Sequence, residues 1–337
     1  MRAAIDQAKK GLGFTSPNPA VGAVLVVEGK IAATGYHRRA GAPHAEIECL
    51  KAYRQPVQNA DTLYVTLEPC STTSRTPPCA ETITSAGVRN VVVGAVDPNP
   101  QHQGRGIESL RAAGVTVRTG VLAEECSSLN EAFSKWIQTK RPLVIVKCGM
   151  TLDGRLTRHP DEERWITRPT ARRHANRLRA QVDAILIGAE TLRTDNPRLT
   201  VRGLPGARQP WRVVLSRSER LPERAHLFTD RYADRTLVFR NEPLDAVLDS
   251  LGQKEVTSVL IEGGGDVLGQ AVDQHLIDRV QIYFGAILTG GPVPAFAGRG
   301  ASTPAESMRL RNCQHQRIGN DVFMSAQTVH GLGFSQY

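Results

Sequence analysis

Hydrophobic positions along the first part of the chain switch between helical and strand spacing. Met1, Ala4, Ile5, Ala8 and Leu12 recur at helical intervals, and Gly11 is placed to end that helix. Residues 20–27 form a continuous apolar run that predicts a buried strand, turned at Glu28-Gly29-Lys30 into a second strand over 31–36. The pattern then predicts a helix from about His44, a strand at 63–67, a helix from about Pro78 and a strand at 91–96. A helix near 106–113, a short strand at 115–117 and a helix over 121–137 complete this set. Strands separated by helical segments imply a mainly parallel sheet covered on both faces.

Thr139-Lys140-Arg141-Pro142 breaks the pattern and reads as a linker. Alternation resumes with a strand at 143–148, a helix at 169–180, and strands at 184–187, 212–215 and 236–239. A helix at 244–251, a strand at 258–261, a helix at 266–274 and a strand at 280–284 follow, and a late strand near 322–326 precedes a polar tail expected to fray. There is no short repeat and no low-complexity tract. A length of 337 residues suits two domains, and the expected partition is 1–138 and 143–337, two α/β domains in series.

Composition narrows the functional classes. No window approaches 18 consecutive apolar residues, which argues against a membrane span or a signal peptide. The net charge of +9 leaves nucleic acid, a membrane surface or an anionic small molecule open. Basic residues concentrate between Lys140 and Arg220 with few aromatics among them, so no base-stacking platform is visible and small anions lead. Cys49, Cys70, Cys79, Cys126, Cys148 and Cys313 show no regular disulfide framework. They read as reduced thiols or metal ligands, and the expected compartment is the cytoplasm.

Three segments suggest chemistry. His44-Ala45-Glu46 opens a helix, Pro69-Cys70 follows a strand, and Cys79 comes just after Pro77-Pro78. One imidazole and two thiolates can fill three positions of a tetrahedral zinc and leave the fourth for water, whose pKa zinc lowers towards neutrality. Glu46, a carboxylate outside the ligand set, can then shuttle protons from nucleophile to leaving amine. In an ideal helix residues 44 and 46 point roughly 200° apart, so their convergence requires the helix to begin near His44. Taken singly, His-x-Glu is common and cysteines near prolines can be buried small hydrophobes. In combination, with Pro directly before Cys70, they match the zinc-deaminase pattern. Base deaminases acting on nucleic acid carry two residues between their cysteines. Here there are eight, including Arg75, which suits a phosphorylated nucleoside-like ligand unless the loop is simply a polar surface.

At this point the residues resemble a known family. Residues 16–22 (Ser-Pro-Asn-Pro-Ala-Val-Gly), His44-Ala45-Glu46, Leu67-Glu68-Pro69-Cys70, Arg75 through Cys79 and Asp97-Pro98-Asn99-Pro100 look like the bifunctional riboflavin-biosynthesis deaminase/reductase. The likeness continues through Leu152-Asp153-Gly154-Arg155, Trp165-Ile166-Thr167, Thr191, Asp195-Asn196-Pro197 and Ile261-Glu262-Gly263-Gly264. The resemblance implies a cytidine-deaminase-like domain followed by a dihydrofolate-reductase-like domain. It also implies deamination of 2,5-diamino-6-(ribosylamino)-4(3H)-pyrimidinone 5′-phosphate, then NADPH-dependent reduction of the ribosyl group to ribityl. Zn²⁺ would be held by His44, Cys70 and Cys79, Glu46 would move the proton, Asn18 would meet the pyrimidine and Arg75 the phosphate. The family usually has His after Cys-Ser, where this chain has Thr72, so that substrate contact is in question.

Without the family, the second half offers softer signals. Ile261-Glu262-Gly263-Gly264-Gly265-Asp266 ends a strand and opens a helix, where glycines let backbone N–H groups approach a phosphate or merely form a tight turn. It is not the G-x-G-x-x-G pattern. Arg179 and Arg202 are candidates for a phosphate clamp, although a single Arg on a polar helix is commonly solvated. Lys147, on the strand leading to the cleft, reads either as a steering group or as a surface lysine. By resemblance Arg179, Leu199, Arg202 and Glu262 match substrate positions. Gly149, Trp165, Thr191, Asp195 and Ser216 match nucleotide positions, as does the segment that begins Gly264-Gly265 and runs to Gln270. Glu163 departs from the small hydroxyl residue usual two positions before Trp165 and is left out of the site.

The expected partners are phosphorylated pyrimidine substrates, with no nucleic acid and no membrane, and a homo-oligomer is the expected state. Two other readings stand beside the leading one. The charge suggests a nucleic-acid editing protein, against which the cysteine spacing and absent aromatics argue. Thr72 and Glu163 suggest an enzyme in which one domain is a scaffold.

Overall fold

Glu28 and Gly29 both take positive φ (49° and 75°), the geometry of a two-residue hairpin turn. That turn joins β1 (Gly22–Val27) to β2 (Lys30–Tyr36). The computed structural model describes residues 1–72, 78–156, 165–218 and 220–329, and among these the chain divides into two compact units, Met1–Lys140 and Arg141–Tyr337.

In the first unit α1 (Arg2–Lys9) precedes β1 and β2, and α2 (Ala45–Ala52) carries the chain over to β3 (Thr62–Leu67). There follow α3 (Cys79–Ser85), β4 (Asn90–Ala95), α4 (Arg105–Ala112), β5 (Thr116–Arg118), α5 (Ala123–Leu129) and α6 (Glu131–Thr139). The sheet order is β2-β1-β3-β4-β5. β3, β4 and β5 are parallel, but β1 runs antiparallel to both its neighbours, so this sheet is mixed rather than mainly parallel. The cause is the hairpin, which reverses β1 against β2 before the α2 crossover sets β3 on the far side of β1. Ala23, Leu25, Leu63, Val65, Val91 and Val93 pack with residues of α2, α3 and α4. Leu67 and Ala95 pack with Ile5 of α1 and Cys126 of α5. The two clusters give the sheet a covering of helices on both faces.

The helix expected over 121–137 is two helices, α5 and α6, broken at Asn130. The buried Asn130 side chain accepts from Ala20 N–H (2.7 Å) and donates to Ala20 O (3.0 Å), an exchange no local periodicity reveals.

The second unit has β6 (Leu143–Thr151), α7 (Pro169–Arg179), β7 (Ala184–Gly188), α8 (Ala189–Asp195), β8 (Trp211–Ser216), α9 (His226–Thr229) and β9 (Thr236–Arg240). It continues with α10 (Leu244–Gln253), β10 (Ser258–Ile261), α11 (Gly265–Asp273), β11 (Arg279–Gly285), β12 (Leu310–Ile318) and β13 (Asp321–Thr328). The order is β12-β13-β11-β6-β10-β7-β8-β9, parallel from β11 to β9 and closed at the other edge by the antiparallel β12–β13 hairpin. β12 and α8 were not expected from the pattern. β12 is exposed along nearly its whole length and needs no apolar face, and α8 is two turns of mostly polar residues. Alternation along the parallel strands separates two cores: Leu186, Val259 and Ile261 pack with α10 and α11, whereas Ile185, Ile187 and Leu260 pack with Leu192 of α8 and Leu227 of α9. The tail expected to fray, 330–337, lies outside the described residues. Among those described, no helix is long and apolar enough to cross a membrane.

The seating of α2 depends on a missing side chain. A Cβ at Gly35 of β2 would lie 2.3 Å from Cys49 N and 2.4 Å from Ala45 O, both backbone atoms of α2. Gly35→Ala must push the helix off the sheet, at a cost of about 1–3 kcal/mol, and carry His44 and Glu46 with it. The expected result is a lower melting temperature together with reduced zinc content; unchanged values of both would show that α2 can shift without moving its first turn.

Candidate functional site

His44 is the residue before α2 and has an extended backbone (φ −71°, ψ 162°). Because it is not itself helical, the ideal-helix separation from Glu46 does not apply, and both side chains reach Cys79. Cys79 is the first residue of α3, with Pro78 before it, and Cys70 lies beyond the end of β3. His44 Nδ1 is 3.2 Å from Cys79 Sγ and 3.6 Å from Cys70 Sγ, and the three ligand atoms all lie within 4.8 Å of one another. With zinc–sulfur and zinc–nitrogen bonds of about 2.3 and 2.0 Å, the edges of a zinc tetrahedron are roughly 3.5–3.8 Å. The donor set and its spacing fit that ion.

Cys79 N–H donates to Cys70 Sγ (3.3 Å), and Ala80 N–H donates to Cys70 O (3.1 Å), so the first turn of α3 is aimed at Cys70. Hydrogen bonds from the Cys79 thiol and from His44 pull the Cys70 thiol down to about 4 despite its burial. Cys79, whose proton is held between the two sulfurs, is raised in turn. The hydrogen bond to Cys70 raises His44 above its usual value. Burial pushes the Glu46 carboxyl up to about 7, against the attraction of His44 and a hydrogen bond with Cys79. A carboxyl poised there can take up and release a proton near neutral pH.

Asn18 is brought to the same neighbourhood through His37, which the spacing arguments passed over. His37 is buried, stands 5.4 Å from His44 ring to ring, and burial first of all lowers its pKa, leaving it neutral. Its Nδ1–H donates to Pro43 O (3.0 Å), so Nε2 is the acceptor that Asn18 Nδ2 approaches at 3.5 Å. Nothing in the sequence marks His37 except its nearness to the His-x-Glu pair. Thr72 is exposed. Arg75 and Glu163 lie outside the described residues.

The second cluster gathers at the carboxyl ends of the parallel strands, where ligands of open α/β sheets bind. Glu262 directly follows β10 and lies beside Lys147 of β6. Arg179 of α7 donates to it twice, from Nε (2.7 Å) and Nη2 (2.9 Å), and Lys147 Nζ donates at 3.2 Å. Burial alone would raise the Glu262 carboxyl, but the charges and hydrogen bonds of Arg179 and Lys147 outweigh it and hold it well below the usual carboxylate range. Arg202, exposed, is electrostatically coupled to Arg179 and Arg198 after burial has first lowered its pKa. The trio of Lys147, Arg179 and Glu262 has a net charge of +1, and Arg202 adds to it.

Leu199 is 2 % exposed and packs in the core with Leu192 and Leu227, so its backbone, at φ 49°, is what it offers a ligand. Thr191 Oγ1 accepts from Gly264 N–H (2.9 Å), joining two of the nucleotide positions. Gly149 lies on β6 opposite Tyr283, with Thr167 over it. Ser216 ends β8, and its hydroxyl donates to Ser218 O (2.7 Å) in a local turn. Asp195 closes α8 and is exposed, while Trp165, 48 % exposed, stacks under Arg172 at 4.4 Å. Gly265 has a packing role: a Cβ there would meet Pro294 O at 2.4 Å.

Comparison with known proteins finds relatives of both units. Residues 1–95 match the cytidine and deoxycytidylate deaminase zinc-binding region, and residues 142–324 match the RibD C-terminal domain. The riboflavin biosynthesis protein RibD of Actinobacillus pleuropneumoniae is 37% identical, covering 98% of this chain and 95% of that protein. RibD of Synechocystis sp. is 39% identical over 95% of this chain and 93% of its own. Among solved structures, Acinetobacter baumannii RibD (form 1) superposes with a TM-score of 0.89 at 33% identity, covering 97% of each chain. A Thermotoga maritima diaminohydroxyphosphoribosylaminopyrimidine deaminase/5-amino-6-(5-phosphoribosylamino)uracil reductase superposes at 0.87 with 34% identity, again covering 97% of each. With both units matched in order and nearly the whole length shared, the chain belongs to the RibD family of riboflavin-biosynthesis proteins.

Proposed function

We propose that this chain carries out two successive steps of riboflavin biosynthesis. The first unit (expected bounds 1–138) removes the exocyclic amine of 2,5-diamino-6-(ribosylamino)-4(3H)-pyrimidinone 5′-phosphate as ammonia. The second, dihydrofolate-reductase-like unit (143–337) reduces the ribosylamino product with NADPH to 5-amino-6-(5-phosphoribitylamino)uracil. The observation that carries the reading is the His44, Cys70 and Cys79 cluster with the Glu46 carboxyl against it.

In the first step, His44, Cys70 and Cys79 would hold zinc, whose Lewis acidity would make a water nucleophilic near neutral pH. Glu46 accepts the proton of the attacking water and delivers it to the departing amine nitrogen. Asn18, steadied by His37, offers amide groups to the edge of the pyrimidine, and Arg75 is assigned to the phosphate.

In the second step the bond between the anomeric carbon and the ring oxygen breaks, a hydride adds to that carbon, and the released oxygen takes a proton from water. NADPH supplies the hydride. Arg179, Arg202 and Lys147 give the cationic surround for a phosphorylated sugar, Glu262 fixes two of them, and the backbone of Leu199 borders them. Gly149, Trp165, Thr191, Asp195, Ser216, Gly264 and Gly265 are assigned to the nucleotide along the strand ends. The thiolate ligands require a reducing compartment, which supports a cytoplasmic setting.

Glu46→Gln keeps the ligand set and removes the proton carrier. It is expected to retain one zinc per chain, lose ammonia release by about 10²–10⁴-fold and leave NADPH oxidation with the deaminated substrate unchanged. Ammonia release at the wild-type rate would end the assignment of Glu46. Removing zinc with a chelator should divide the activities in the same way, and loss of NADPH oxidation along with ammonia release would contradict the two-site reading.

Glu262→Gln leaves Arg179 and Lys147 buried without their carboxylate, a loss of roughly 3–5 kcal/mol. Because the native carboxyl is depressed, its contribution is present above the ordinary carboxylate pKa of about 4.3 and lost as pH falls below it. Melting of the two proteins should therefore differ most at neutral pH and converge in acid, with a raised KM for the reductase substrate. A constant gap across pH would show that Glu262 is not held ionised by its two cations.

A further inference from the structure

We infer that Glu68 is a positioning residue for the deamination site: its carboxylate holds the loop that carries Asp97 against the Cys70 side of the metal cluster. The inference rests on the deaminase reading above and concerns a residue outside the ligand set and the proton path.

Glu68 follows β3, two positions before Cys70, and is 5 % exposed. Its carboxylate accepts four backbone N–H groups. Oε1 takes Gly106 (2.8 Å) and Ile107 (3.3 Å), and Oε2 takes Gly104 (3.0 Å) and Asp97 (3.1 Å). Gly106 and Ile107 are the second and third residues of α4, the donors that a Ser, Thr, Asp or Asn cap ordinarily satisfies. The cap position is instead Gly104, at φ 81° and without a side chain to offer. Glu68 therefore caps α4 from another element, and its negative charge meets the positive end of that helix.

The same carboxylate also takes the first and last amides of the loop 97–104. Within the loop, Asp97 Oδ1 accepts from Asn99 N–H (2.8 Å), and Asn99 O accepts from His102 and Gln103 N–H (both 2.9 Å), so the loop is wound on itself as well as tied at its ends. The α4 start is pressed against the metal-ligand segment: a Cβ at Gly106 would fall 1.9 Å from Pro69 O, the carbonyl directly before Cys70. Asp97 is half-buried and interacts electrostatically with Cys70. One carboxylate thus ties the backbone of Asp97 to the segment that leads into Cys70, and Asp97 is a polar group of this loop able to meet an edge of the substrate. Glutamine at 68 has the same shape, but its NH₂ group would face N–H donors, and two of the four hydrogen bonds would be lost.

The test uses the full-length, zinc-loaded chain as wild type, Glu68→Gln, Asp97→Asn and the double variant. Zinc per chain, NADPH-dependent reduction, and kcat and KM for ammonia release from the diaminopyrimidinone ribosylamino phosphate are measured. Glu68→Gln should keep its zinc and its reductase rate, raise the deaminase KM by about ten-fold or more and change kcat by less than about three-fold. If Glu68 acts through Asp97, the double variant's KM will be no higher than the larger of the two single values. Loss of zinc in Glu68→Gln, a fall in kcat at constant KM, or single effects that multiply would each overturn the inference. If the wild type releases no ammonia, the deaminase reading fails. Amide hydrogen exchange over 97–107 then decides the matter, faster in Glu68→Gln if the carboxylate holds the loop and unchanged if it does not.

Discussion

Two helix starts, α2 and α3, deliver an imidazole and a thiol to a second thiol, and everything in the first unit is arranged around that meeting. The positive ends of both helices lie at the cluster, where they favour a thiolate on Cys70 and negative charge near Glu46. Two helices of this unit lie close on the sheet only because it is cut away beneath them. Gly35 lets α2 lie on β2, and Gly22 lets α1 lie on β1, since a Cβ there would fall 2.1 Å from Ala4 O. The consequence for chemistry is at His44: a residue just outside its helix points where a helical residue cannot. An imidazole and a carboxyl two positions apart in sequence can therefore reach the same thiol.

The second unit holds cations in place at the strand ends without neutralising them. A carboxylate buried between two cations pays a desolvation cost that its ion pairs need not recover. Glu262 meets it with two hydrogen bonds from Arg179 and one from Lys147, and the cluster keeps a surplus positive charge. The neighbouring loop is held as firmly. Asn176 brackets the backbone of Arg202, Gln209 that of Val201 (2.8 and 3.1 Å), and Arg179 Nη1 donates to Thr200 O (3.3 Å). Between them Leu199 keeps a left-handed backbone that costs about 1–3 kcal/mol elsewhere, and its buried side chain helps anchor it.

What could be read from the sequence was whatever depends on local pattern. The mostly apolar runs correspond to β1, β3, β4, β6, β7, β10 and β11, because a strand covered on both faces needs little polar alternation. The metal ligands were visible from spacing, since zinc imposes residue types that chance rarely assembles. What stayed hidden was set across long sequence distances. Asn130 divides one apparent helix because its amide pairs with Ala20, 110 positions away. β12 is polar because its faces are open, so it carries no signature of a strand. His37, and Glu68 apart from its place in the Leu67–Cys70 motif, take their importance from what the folded chain places opposite them.

The glycines after β10 show why motif and mechanism must be argued separately. Read as sequence, Gly263-Gly264-Gly265 suggested a phosphate cradle. In the fold each glycine has a prior reason to be there. Gly263 runs within 2.7–2.8 Å of β7 backbone atoms, measured from where a Cβ would stand, and Gly265 does the same against Pro294 O. The N–H of Gly264 already donates to Thr191. Close packing of α11 against β7 and the 294–298 segment would demand small residues even with no ligand bound. The run of glycines is therefore weak support for nucleotide binding by itself. The stronger support is position: the turn lies at the carboxyl edge of a parallel sheet, next to Glu262 and its cations, where a nicotinamide and a phosphorylated sugar can meet.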